Sequence, residues 1–124
     1  MGAQENKQTA EAAYRAFAAG DAGAAMENMD DSVAWTTRGD NALTGTRNGK
    51  QEVGELWGAL AGKGFSTSPH DFVAEGDKVV VLTTVSLDGT EVEGADVLTY
   101  NSEGKLVAFD TLGDPTAANE AFPK

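Results

Sequence analysis

Three turn signals divide the second half of the chain: Glu75-Gly76-Asp77, Asp88-Gly89 and Ser102-Glu103-Gly104 recur every ten to fourteen residues. Between and around them lie Phe65 to Ala74, Lys78 to Leu87, Thr90 to Asn101 and Lys105 to Leu112, rich in Val, Thr and aromatics. β-Branched and aromatic side chains suit a pleated surface, and glycine at these points suits the tight reversals that join hairpins. The spacing predicts an antiparallel meander. Pro69, inside the first segment, has no N–H to give to a ladder and so predicts an edge strand or a bulge there.

The first half has a different period. Ala10, Ala13, Tyr14, Phe17 and Ala18 recur in steps of three and four, predicting a helix closed by a left-handed Gly20. Asp21 is the expected N-cap of a shorter second helix carrying Ala22, Ala25, Met26 and Met29 and ending at Asp30-Asp31-Ser32. Val33 to Thr37 reads as a first strand, and a loop with Gly39, Gly45 and Gly49 follows it. Val53, Leu56, Trp57 and Leu60 predict a third helix leaving through Gly62 and Gly64. The residues from Gly113 to Lys124 show no period and are expected to drape over the surface.

Helices first and hairpins afterwards give an α+β class, in which three helices of the N-terminal half cover one face of a strongly curved antiparallel sheet. Such a cone leaves a pocket wherever its interior is wider than its side chains can fill. With 124 residues, the chain is expected to form a single domain spanning positions 1–124. A net charge of −11 repels phosphate backbones and anionic bilayers, so nucleic acid and membrane surfaces are not expected partners. The stretch from Met1 to Lys7 contains no apolar run, and no segment approaches the length of a membrane span. There is no cysteine, which removes disulfides, thiolate metal sites and a cysteine nucleophile, and makes the cytoplasm the default compartment. One histidine cannot make a metal site without converging carboxylates, and no such spacing occurs; neither metal nor organic cofactor is expected.

Asp96 is the residue that points to chemistry. It is the one carboxylate in the centre of the otherwise apolar and hydroxylated run Gly94-Ala95-Asp96-Val97-Leu98-Thr99-Tyr100, and alternation places it on the same face as Leu98 and Tyr100. A carboxyl held against apolar neighbours resists ionisation, which is the property general acid and base catalysts need. The competing reading is a solvated acid at a sheet margin.

The order of these segments resembles the nuclear-transport-factor-2-like superfamily, in its branch of SnoaL-like polyketide cyclases and ketosteroid isomerases. The phrases that carry the resemblance are Tyr14 to Asp21, Asp30 to Trp35, Gly45 to Lys50, Ala74 to Val81 and Gly104 to Val107. The resemblance implies a cystatin-like α+β barrel, a small hydrophobic ligand, a homodimer, and isomerase, cyclase or lyase chemistry. It also implies that Asp96 is similar in placement to the aspartic acid that donates a hydrogen bond to the substrate oxyanion in the isomerases. The isomerase base would fall near Thr36 and the oxyanion tyrosine near Ala13, with Tyr14 one step round the helix. Threonine cannot abstract a carbon-bound proton unaided, so the isomerase mechanism is not expected unchanged. The epoxide-hydrolase branch carries an arginine where this chain has Gly94, and the dehydratases carry paired histidines where this chain has His70 alone.

The candidate catalytic set is thus Asp96 and Tyr14, with Asp110 on the last strand and His70 as the natural proton shuttle near neutral pH. The candidate ligand wall is Phe17, Trp35, Thr36, Trp57, Phe72, Leu98 and Phe109. Two functions remain open on these residues. One is a small-molecule enzyme working through Asp96; the other is a ligand-binding or dimerisation domain without turnover.

Overall fold

The structure, a computed structural model, describes residues 2–124. The chain runs α1 (Ala3–Ala18), α2 (Ala22–Met26), β1 (Met29–Thr37), β2 (Gly45–Asn48), α3 (Lys50–Ala61), β3 (Ser66–Glu75), β4 (Lys78–Leu87), β5 (Thr90–Tyr100), β6 (Leu106–Thr111) and α4 (Thr116–Ala121). The six strands form one curved sheet in the order β2-β1-β6-β5-β4-β3. The predicted meander is β3 to β6, and each turn signal supplies the backbone its hairpin needs: φ is +59° at Gly76, +51° and +82° at Asp88 and Gly89, and +77° at Gly104. Pro69 lies on edge strand β3, where the pairing with β4 slips between Pro69 and Asp71.

Four features differ from the expectation. The sheet does not close into a barrel, since β2 and β3 remain its edges, and β1 joins β6 in parallel rather than antiparallel fashion. The second helix stops at Met26, and Met29, expected on that helix, opens β1 instead, paired with Leu106 and buried. The glycine loop after β1 contains a short strand, β2, held against β1 by pairs such as Trp35 with Arg47.

A fifth difference lies at the C-terminus. The residues expected to drape over the surface form α4, whose Ala117 and Ala121 are buried against Leu87. Asp114 starts the helix by accepting from the backbone N–H and the hydroxyl of Thr116, at 2.9 and 2.6 Å. A helix of six residues has one pair of inward positions, too few to show a period.

The helices lie on the concave side of the sheet. α1 packs on β3 and β4, α3 on β1 and β2, and α4 on β4 and β5. Asn6, Ala10 and Tyr14, four residues apart on α1, form its buried stripe, and Gly20, with φ of +80°, turns the chain away as predicted. Asp21 caps α2 by accepting from the backbone of Ala24 at 3.0 Å. Val79, Val81 and Thr83 of β4 and Leu98 of β5 complete the fully buried inner layer. No helix among the described residues is long and apolar enough to cross a membrane.

Candidate active site

The concave face and the helices enclose a cavity of about 190 Å³. Its walls are mostly apolar, and its only exposed members, Arg38, Asp114 and Pro115, mark an opening between the end of β1 and the start of α4. Asp96 enters from the middle of β5, opposite Val81 of β4 and Thr111 of β6. Tyr14 enters from α1, and its phenol donates to Asp96 Oδ2 at 2.6 Å. That length is typical of a hydroxyl bonded to a charged oxygen.

Burial dominates the electrostatics. Loss of water raises the Asp96 carboxyl to about 6, against the smaller, opposite pull of the Tyr14 hydrogen bond. Asp96 is half-buried as a residue, and the surface it keeps belongs to the cavity wall. Burial first, then the neighbouring Asp96 charge and the bond to it, push the Tyr14 phenol far above its ordinary range. Tyr14 therefore stays protonated at any working pH and acts as a donor. Tyr100, two positions beyond Leu98 on the same face, is also raised by burial.

The aromatic wall is continuous. Trp35 stacks on Phe109 with ring centres 3.6 Å apart and planes within 5°. Trp57 meets Trp35 edge-on at 5.7 Å, and Phe17 meets both Trp57 and Phe65 edge-on. All five line the cavity, as does Leu98. Phe72 stands behind the wall, with its ring edge-on to Tyr14 at 5.6 Å.

Three expected site residues lie elsewhere. His70 sits on edge strand β3 with its side chain 49% exposed, 3.5 Å from Glu93 on the outer face. Asp110 and Thr36 are neighbours in the β1–β6 register, and strand alternation points both outward because Phe109, Thr111 and Trp35 point inward. Thr36 shares a hydrogen bond with Thr46 at 2.9 Å. Asp110 receives two bonds from Arg38, at 2.8 and 2.7 Å, and that guanidinium holds its carboxyl below the usual range.

Gly94 has a steric reason to be glycine. A Cβ there would stand 2.4 Å from the hydroxyl of Thr83, and one on Gly113 would stand 2.4 Å from the Gly94 Cα. The arginine of the epoxide hydrolases has no room at this point of the wall. Sequence reading did not single out Thr111, Thr83, Thr67 or Arg38, since each depends on pairing across strands. Among the described residues no three His, Asp or Glu side chains converge on a metal-sized site.

A six-stranded concave sheet, helices on its inner face and one buried acid in an apolar hollow define an α+β cone. The SnoaL-like domain family matches residues 10–109, and the chain belongs to that family. Bal32a, from a soil-derived mobile gene cassette, superposes with a TM-score of 0.88 at 22% identity, covering 97% of this chain and 98% of its own. TerC, solved with polyporic acid, gives 0.81 at 25% identity, with 94% and 96% covered. SalBIII, an epoxide hydrolase/cyclase-like enzyme with a role in pyran ring formation in the polyether salinomycin, gives 0.76 at 19% identity, with 92% and 94% covered. A protein of Burkholderia pseudomallei described as NTF2-like superposes with a TM-score of 0.84 at 22% identity, covering 96% of this chain and 98% of its own, and with it these likenesses establish the nuclear-transport-factor-2-like fold. No curated protein matches the chain in sequence.

Proposed function

We propose that this protein binds a small, largely hydrophobic molecule in the Asp96 cavity and catalyses a proton transfer on it, as an isomerase, cyclase or related lyase. The observation that carries the reading is the 2.6 Å bond from Tyr14 to a carboxyl whose burial lifts it to about 6. At neutral pH most Asp96 is ionised, yet it is a stronger base than an exposed carboxylate. Tyr14 occupies Oδ2, and no other described group bonds Oδ1, which is the oxygen available to a substrate O–H or acidic C–H. The same carboxyl then returns the proton to a second atom of the substrate. Apolar walls keep water from intercepting it. The ring-forming role described for SalBIII and the polyporic acid co-crystallised with TerC are compatible with this class.

A second reading has one observation in its favour. Thr36 and Asp110 face away from the cavity, which leaves Asp96 without a second carboxylate beside it. A cone of this kind can bind without turning over.

Carboxyl NMR of Asp96, with and without a hydrophobic ketone or phenol, separates the readings. The enzymatic reading expects a midpoint near 6 that moves when ligand fills the cavity. An ordinary, ligand-insensitive midpoint of about 4 ends it. The proposal includes a homodimer formed through the outer face of the sheet, which no helix among the described residues covers.

A further inference from the structure

Asp96, Leu98 and Tyr100 occupy successive inward positions on β5, so an acid, a hydrocarbon and a phenol line the cavity in that order. Tyr100 marks the end away from the opening. It pairs with Leu106, Leu106 pairs with Met29 at the start of β1, and the opening lies beyond the other end of that strand, at Arg38. Tyr100 is 3% exposed, and no group among the described residues bonds its hydroxyl. The unbonded hydroxyls of Thr67 and Thr83 are sealed inside the protein, whereas that of Tyr100 keeps open surface. Burial, the Asp96 charge, the bond to it and finally Tyr100 raise the Tyr14 phenol, which puts the two phenols within electrostatic reach of one another.

The other polar side chains at this end are already engaged. Thr9 donates to the carbonyl of Glu5 at 3.0 Å, and the Asn28 amide donates to the carbonyl of Gly104. Burial alone raises the Tyr100 phenol above its ordinary range, so it stays protonated at any working pH and offers one donor. Phenylalanine would fill the same space without that donor. A hydrocarbon ligand filling this end would expel water and leave the phenol dry, at a cost comparable to a lost hydrogen bond. A ligand oxygen that accepts from it removes the cost.

We propose that Tyr100 is the specificity-determining residue at the inner end of the cavity, donating to a carbonyl oxygen of the ligand while Asp96 and Tyr14 engage the reacting end. This rests on the proposed function and narrows its substrate class. Asp96 and Tyr100 stand about 13 Å apart along the strand backbone, and the length of the tyrosine side chain takes up part of that gap. Cavities of roughly 150 Å³ with apolar walls accept a guest the size of benzene. At about 190 Å³ this one takes a compact ring compound whose carbonyl lies on the side remote from the reacting O–H or C–H, with its hydrocarbon against Leu98.

Calorimetric titration with 4-hydroxyacetophenone and 4-isopropylphenol tests this. Both carry a ring and a phenolic O–H for Asp96, and only the first has a carbonyl at its far end. Tyr100→Phe is expected to weaken binding of the ketone about tenfold, the worth of one hydrogen bond in a dry site, while affinity for 4-isopropylphenol holds or rises. The ketone also makes its own phenol more acidic, so the reading is the change caused by the variant and not the ratio in the parent. Thermal unfolding separates this from a structural role. Tyr100→Phe should melt at or above the parent midpoint, because the hydroxyl bonds nothing in the protein; a lower midpoint would reveal an internal partner and overturn the inference. A ketone affinity untouched by the variant also overturns it and leaves the cavity reading in place. If neither phenol binds the parent protein, the cavity reading falls and the role of Tyr100 falls with it.

Discussion

At the scale of single residues, the site is an unfavourable arrangement that the fold tolerates. Asp96 rises from an ordinary 3.8 to about 6 because water is removed from its charge. A carboxyl raised on folding binds more protons in the folded than in the unfolded chain between those two values. Stability is therefore lost as pH rises from about 4 to 6, and the loss is complete at neutral pH. Asp96→Asn removes the charge while its side-chain oxygen can still accept from Tyr14. At pH 7 it is expected to raise unfolding stability by up to roughly 3 kcal/mol, with the gain shrinking toward pH 4. Urea titrations at the two pH values check this; an equal effect at both would show that the acid is not desolvated. Tyr14→Phe deletes the one bond that lowers the Asp96 value, so the carboxyl midpoint should move above 6 in an NMR titration. A midpoint that stays or falls would mean that Tyr14 does not stabilise the carboxylate. Asp96 itself was legible in the sequence, because strand alternation and an apolar run need only local reading. Asp110 and Thr36 were not, since their direction depends on a parallel neighbour that no local pattern announces; for His70, Pro69 signals the slip beside it, but not which face His70 takes within it.

At the scale of elements, hairpins and long helices could be read directly and short elements could not. Glycine turns and three helical stripes are repeated signals. β2, with four residues, and α4, with six, take their form from partners distant in sequence: Trp35 with Arg47 for the strand, Leu87 with Ala117 and Ala121 for the helix. The pairing of β4 with β5 carries a sharper test. Gly94 and Thr83 face each other in register, and a Cβ on Gly94 would stand 2.4 Å from the Thr83 hydroxyl. Gly94→Ala should cost about 1 to 3 kcal/mol of stability by overpacking. Thr83→Ala in that background removes the obstructing atom and should return much of the loss, giving a coupling energy of about 1 kcal/mol or more in a double-mutant cycle. Additive effects in chemical unfolding would show that the two positions do not touch.

At the scale of the molecule, the question is what covers the outer face of the sheet. Strand register assembles two apolar rows there: Val73, Val80 and Val97 in one, Leu82, Ala95 and Leu112 in the next. Val73, Leu82 and Leu112 are 59%, 37% and 53% exposed, while the helices occupy the opposite face. A second copy of the chain is the proposed cover, a two-fold pairing in which each patch meets its own image. Charge opposes it. Each copy carries −11, so association should be weak at low salt and strengthen as ionic strength rises toward 0.15 M, where the screening length falls to about 8 Å. The combined variant Leu82→Lys and Leu112→Lys separates the two effects, because added positive charge lowers the mutual repulsion while it spoils the apolar contact. Sedimentation should find the parent dimeric and this variant monomeric at the same salt, showing that burial of the patch, more than net charge, decides assembly. A parent that stays monomeric at high micromolar concentration and physiological salt would leave the outer face simply wetted, and the cavity would then have to be explained within one chain.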